Sequence, residues 1–142
     1  MAKSDQHSAR SRARELIVQA LYQAQITGHD EAELKDQIHA RPDYRRVDKS
    51  YFDDGLGYIL KFQAALETDI DGLADRPVAN LDPIEKSILL LGFYELKSTP
   101  DVPFKVIINE SVNLAKRFGA IDGHKYINAV LDRAVKKYRP ET

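Results

Sequence analysis

Apolar positions return along this chain at helical spacing, and one stretch carries more of them than a single helix face can hold. Between Asp82 and Lys97, residues Ile84, Ile88, Leu89, Leu90, Leu91, Phe93, Tyr94 and Leu96 cover almost the whole circumference of a helix. A helix that is apolar all round must be enclosed by neighbours. At roughly 1.5 Å per residue it is too short to cross a bilayer. Its start is written in the sequence. Asp82 can cap the first free N–H groups, Pro83 suits the first helical position, and Glu85 stands three residues after the cap, as in a capping box.

The remaining segments read as helices that wrap this one. From Arg10 to about Thr27, Leu16, Ile17, Ala20, Leu21 and Ala24 form one stripe, and Gly28 supplies a stop; the polar residues before Arg10 read as a mobile tail. Asp30 to about Ala40 is a shorter helix with Leu34 and Ile38 inward, ended by Arg41-Pro42. Asp48 to about Ile70 reads as one long helix through Tyr51, Phe52, Leu56, Ile59, Leu60, Phe62 and Leu66, with Gly55 and Gly57 weakening it or permitting a close crossing. Beyond Pro100 and Pro103, a helix over Phe104–Phe118 places Ile107, Ser111, Leu114 and Phe118 on one face, and Gly119 is expected in the left-handed conformation after it. Asp122 can cap a last helix that buries Ile127, Val130, Leu131, Ala134 and Tyr138. No strand alternation, repeat or low-complexity segment is visible. The expectation is an all-α fold of about six or seven helices in two packed bundles, one domain with subdomains over about 1–76 and about 77–142.

Charge changes this picture through its distribution. The net charge of −1 over 142 residues gives no global attraction to nucleic acid. Residues 1–14, however, carry four cations (Lys3, Arg10, Arg12, Arg14) against Asp5, and residues 122–139 carry five against two carboxylates. Residues 48–82 hold eight carboxylates against three cations. Two basic ends flank an acidic middle. The absence of cysteine excludes disulfides, thiolate zinc sites and a cysteine nucleophile, and it is compatible with a reducing cytoplasm, where this reading locates the protein. The opening residues contain no apolar run of the kind a secretory signal needs.

Two places could carry function. On the first helix, Tyr22 points about 170° away from the apolar stripe, with Arg10, Arg12 and Arg14 toward the basic end. Guanidinium groups bind phosphates through charge-assisted hydrogen bonds, and a nearby aromatic face can stack an unpaired base. The plainer alternative is a Tyr22 packed on another helix and solvated arginines. At the start of the last helix, Asp122, His124, Lys125 and Tyr126 cluster in one turn, where an ordinary helix start with a half-buried tyrosine is the competing reading. Catalysis finds little support: the four histidines lack i,i+4 partners of metal-ligand type, no glycine-rich phosphate loop is present, and the paired carboxylates read as solvated helix faces. No cofactor or metal is expected.

With these residues in hand, the chain resembles the NusB family of bacterial transcription antitermination factors. RSRARELIVQALY (Arg10–Tyr22) resembles the family's arginine-rich opening helix, LDPIEKSILLLGFYEL (Leu81–Leu96) its central helix, and VPFKVIINESVNLAKRFGAIDGHKYINAVLD (Val102–Asp132) its C-terminal signature. The resemblance implies binding to boxA, a single-stranded element of leader transcripts, together with NusE, a protein of the small ribosomal subunit. It also implies entry of that pair into an RNA polymerase antitermination complex. Carried over by position, the RNA-binding residues would be Arg10, Arg12, Arg14, Tyr22, Glu85, Asp122, Lys125 and Tyr126, with Lys3 joining from the tail. Departures from the family pattern are Ser11 within the arginine run, Ile121 for an acidic residue, Gly123 for serine and Tyr126 for phenylalanine. The sequence leaves open whether the RNA-free protein is a monomer or a homodimer. Two alternatives stand beside this reading: a helical protein–protein adaptor without RNA binding, and an RNA-modifying enzyme, for which the short chain leaves no cofactor domain.

Overall fold

The computed structural model describes the backbone of residues 2–141 and the side chains of residues 8–141. Among the described residues there are seven α-helices and two short 3-10 turns, and no strand. The helices are α1 (Ala2–Thr27), α2 (Glu31–His39), α3 (Lys49–Lys61), α4 (Gln63–Asp71), α5 (Pro83–Ser98), α6 (Phe104–Phe118) and α7 (Gly123–Tyr138). Among the described residues no helix is long and apolar enough to cross a membrane. The chain divides into two compact units, residues 1–61 and 62–142.

In the first unit α1 packs on α3 and α2. Leu16, Ile17, Ala20 and Leu21 are buried as the stripe predicts, against Leu34, Ile38, Phe52, Leu56 and Ile59 of the same unit's core. Two findings widen the sequence picture. The helix begins at Ala2, not at Arg10, since no glycine or proline stands in the way and the opening residues include good helix formers. Arg14 and Val18, one turn apart, are buried beside the stripe, so α1 is enclosed over a broader arc than its apolar pattern indicates. Gly28 ends the helix as expected, and does so in the left-handed conformation, φ +76°. Asp30 caps α2 through the Glu33 amide, and Glu33 returns the bond to the Asp30 amide, a complete capping box.

The long helix expected over Asp48–Ile70 is two helices. Phe62, at φ −108° and ψ 21°, interrupts it between α3 and α4. No glycine or proline marks the break, and the inward positions Phe52, Leu56, Ile59, Leu66 and Ile70 keep helical spacing across it, which is why the sequence reads as continuous. The division between units falls at this turn, and α4 packs on α5, whereas residues 62–76 were expected in the N-terminal half.

In the second unit α5 is the central element, in contact with α4, α6 and α7. Ile88 to Leu91, Phe93, Tyr94 and Leu96 are all buried, as an all-apolar helix requires. Asp82 caps it through the Ile84 and Glu85 amides. A Cβ on Gly92 would stand 2.9 Å from Leu131 Cδ2, so the glycine gives Leu131 of α7 its seat against the α5 backbone. Gly119 follows α6 in an extended conformation (φ −92°), not the left-handed one expected. Its lack of a side chain serves another need: a Cβ there would meet the Ala115 carbonyl oxygen at 2.7 Å. Phe118, expected inward, is exposed beneath the Arg117 guanidinium, and Tyr138 is only half-buried, with Val135 taking a core position instead.

Each unit also holds a tyrosine whose ionisation is suppressed. Tyr44 donates to Asp53, which also pairs with His39 at 2.7 Å. Burial, then the Asp53 charge, push its phenol up to about 12. Tyr138 is pushed up to about 12 by burial and by Asp69. In both cases the folded state holds the proton more tightly than the unfolded chain. The associated stability is complete below pH 10 and is lost as the pH rises from 10 toward 12. A tyrosinate absorbance titration should show late-ionising phenols, lost on Tyr44→Phe and Tyr138→Phe, with unfolding favoured in the same interval. All seven tyrosines titrating together near pH 10 would contradict this assignment.

Candidate nucleic-acid interface

The arginine-rich end of α1 is organised by the start of α3. Asp48 accepts a bond from the Tyr51 amide and so caps α3, while its amide donates to the Ala9 carbonyl of α1. Its second carboxylate oxygen lies 3.5 Å from Arg10 Nε. The Tyr51 ring then receives two cations from successive turns of α1: the Arg10 guanidinium at 4.5 Å and that of Arg14 at 5.4 Å. Cation–π contacts of this kind hold each guanidinium against a ring.

The three arginines therefore have different standings. Arg14 is 1% exposed and belongs to the core of the structure. This corrects its assignment as a phosphate contact: a fully enclosed guanidinium cannot meet a polyanion. Arg10 retains about a third of its side-chain exposure. Arg12 is exposed and donates to the Arg46 carbonyl at 3.3 Å, which brings Arg46 beside it. Glu15 and Asp43 line the same shallow pocket as Arg12, so its neighbourhood is of mixed charge. Tyr22 is 40% exposed, as its position opposite the stripe requires, and Ile26, one turn on, is also exposed. The Lys3 side chain lies outside the described residues.

The second patch lies wholly within residues 62–142. Asp122 was expected to cap α7, but it adopts φ 67° and makes no side-chain cap bond. A side chain turned away by left-handed backbone cannot reach back to the first-turn amides. It pairs instead with Lys125 at 3.4 Å, and both side chains are largely exposed. Glu85 was expected to complete a capping box on α5. Its carboxylate is turned elsewhere: it is nearly buried and accepts from Arg76 at 3.2 Å. Gly123 brings the start of α7 close to this carboxylate, since a Cβ there would lie 3.9 Å from Glu85 Oε1. The Arg76 guanidinium also lies 4.1 Å from the centre of the Tyr126 ring. The Tyr126 hydroxyl is buried and has no hydrogen-bond partner among the described residues. Tyr126 thus presents neither a bare face on that side nor a solvent-facing hydroxyl.

Glu85, Tyr126 and Gly123 are brought together here, with Asp122 and Lys125 at the rim of the same helix start. Sequence reasoning missed Arg76, the residue that joins the first two. Its only signal was being the single cation in the acidic run between Lys61 and Lys86. Ile121, next to this patch, is 95% exposed, so its departure from an acidic residue alters surface charge and leaves packing alone. Among the described residues no group of three or more His, Asp or Glu is placed to hold a metal ion.

Comparison with known proteins accords with this architecture. The family model described as "NusB family" matches residues 11–136. The transcription antitermination protein NusB of Thiobacillus denitrificans is 47% identical over 131 residues, covering 92% of this chain and 90% of that protein. The protein of the same name from Ralstonia nicotianae is 41% identical over 137 residues, covering 96% and 88%. Among solved structures, T. maritima NusB superposes with a TM-score of 0.79 at 27% identity, covering 93% of this chain and 94% of that one. A family match over nearly the whole length, relatives at 41% and 47% identity and a shared all-helical structure lead to one conclusion: the chain belongs to the NusB family.

Proposed function

We propose that this protein is a transcription antitermination factor that binds boxA-type single-stranded RNA together with NusE and carries the pair into an RNA polymerase antitermination complex. The observation that carries the reading is the family match over residues 11–136, with relatives named as transcription antitermination proteins. The surface chemistry supports it. Exposed Tyr22, the cations Arg10 and Arg12, and the exposed Asp122–Lys125 pair at the start of α7 are groups that single-stranded RNA uses: charge for the backbone, a flat group for the bases. The function is binding without chemistry. NusE and RNA would each raise the affinity for the other, because such coupling is reciprocal.

Titration of labelled boxA RNA, with and without NusE, tests the proposal. Retention should be tighter in the presence of NusE; no retention even with NusE present would leave the protein-only adaptor reading. The same assay resolves the basic end. Changing Arg10 and Arg12 together to alanine should weaken binding and reduce the slope of log K against log salt by up to about two contacts' worth. A slope equal to that of the unaltered protein would place the phosphate contacts elsewhere. Tyr22→Ala should lower affinity by about 1–3 kcal/mol, the range for a stacked base, with helix content retained.

A further inference from the structure

The RNA reading leaves the face of Tyr126 unexplained, because a cation already occupies it. We infer that Arg76 is itself an RNA contact: its guanidinium, held between the Tyr126 ring and the Glu85 carboxylate, is the flat surface on which an unpaired base stacks. This inference rests on the proposed RNA binding and assigns roles within it. Arg76 touches the base, and Glu85 and Tyr126 position Arg76.

Three observations carry it. The guanidinium stands 4.1 Å from the ring centre, which leaves no space for a base between them, since a stacked base needs roughly that separation on each side. Its side chain is 49% exposed, so about half of its surface remains accessible while it sits on the ring. The Glu85 side chain is only 8% exposed and accepts from Arg76 at 3.2 Å. A base that displaced Arg76 from Tyr126 would strip a nearly buried carboxylate of its cation, which is strongly unfavourable. Stacking on the outer face leaves that pair intact and adds a third layer to a tyrosine–arginine stack. Arginine planes are among the platforms on which splayed bases are held. The ion pair fixes the plane before RNA arrives, so little side-chain freedom is lost on binding.

The test uses the full chain with a boxA-type oligoribonucleotide, including versions that carry a fluorescent base at single positions. Arg76→Ala should weaken binding about tenfold, in the range for loss of one stacked base, and should abolish the quenching of one labelled position. Arg76→Lys keeps the charge but not the plane. It should show most of the same loss with an unchanged salt slope. Glu85→Gln should weaken binding about threefold in the unaltered background and not at all in the Arg76→Ala background, as expected of a residue acting through another.

Binding by Arg76→Ala equal to or better than that of the unaltered protein would show that the guanidinium merely covers Tyr126 and must leave, overturning the inference. Full affinity in Arg76→Lys would make Arg76 a phosphate contact and overturn the stack. A Glu85→Gln loss that persists without Arg76 would make Glu85 a direct reader of the base. Failure of the unaltered protein to bind any RNA is a different result, and it would remove the functional reading itself. Melting curves accompany each variant. Arg76→Ala leaves the nearly buried Glu85 carboxylate without its cation and should lower the melting temperature, so binding is compared where each variant is folded. Arg76→Ala combined with Glu85→Gln removes that stranded charge.

Discussion

Arg14→Ala should unfold the protein more readily, and any loss of RNA binding should follow from that. Arg14 is 1% exposed and is among the largest fully enclosed side chains in the structure, with its guanidinium over the Tyr51 ring. Removing it deletes the cation, the packing of its methylene stem and the partners arranged around it. Truncating a large enclosed side chain leaves a cavity and typically costs about 2–5 kcal/mol, a large share of the roughly 5–15 kcal/mol that holds a domain together. The urea midpoint should therefore fall sharply. Arg14→Lys should recover part of the loss, because it restores the charge without the flat group that lies on Tyr51. Arg12→Ala is the control: Arg12 is exposed, and its loss should move stability by less than about 0.5 kcal/mol. An Arg14→Ala protein with an unchanged urea midpoint and weakened RNA binding would return Arg14 to the surface. The result also bears on experimental design. Replacing all three arginines at once would confound phosphate contact with folding.

The second large effect is expected at the other end of the chain. Arg139 follows α7 and donates to the carbonyls of Glu95, Leu96, Thr99 and Val102. Glu95 and Leu96 lie in the last turn of α5, where the helix dipole favours a cation. The Glu95 carbonyl also accepts from the Thr99 amide and hydroxyl and the Thr99 carbonyl from the Val102 amide, and Arg139 adds to these bonds. The connector that follows contains Pro100 and Pro103, which lack the N–H donors that could have served instead. One side chain thus closes the end of the central helix and the turn after it. Hydrogen bonds to a charged group are worth about 1.5–3 kcal/mol each and are not additive here. Arg139→Ala should therefore cost about 2–4 kcal/mol. Hydrogen exchange should accelerate in the last turn of α5 well before it does in the rest of that helix. Arg139→Lys should restore less than half, since one ammonium cannot span four carbonyls. Uniform exchange along α5 in Arg139→Ala would show that the helix end is held by other contacts.

How much of this was legible in the sequence follows the kind of signal each feature carries. The enclosed helix α5 was readable because its apolar residues cover every face, and its start because Asp82-Pro83 encodes a cap directly. Tyr22 was placed outside the core correctly, because a regular helix fixes angles from spacing alone. The break at Phe62 was not legible: the inward positions keep the same period through it and no breaker residue stands there. Arg14 was misread because a periodicity argument counts arginine as polar, whereas its stem and planar head pack well once a ring such as Tyr51 is present. Glu85 and Asp122 fitted local capping rules, yet both obey more distant partners or backbone geometry. Arg76 was invisible for the complementary reason. Its importance comes from two residues that reach it through tertiary folding.

Asp48 fastens the opening helix from far along the chain, by one bond to the Ala9 carbonyl and one approach to Arg10. The aim of the arginine-rich stretch is therefore not a property of that stretch. A synthetic peptide copied from it, or a graft onto another scaffold, would bring the charges without their bearing. It should attract polyanions as any cationic peptide does, with little regard for which one.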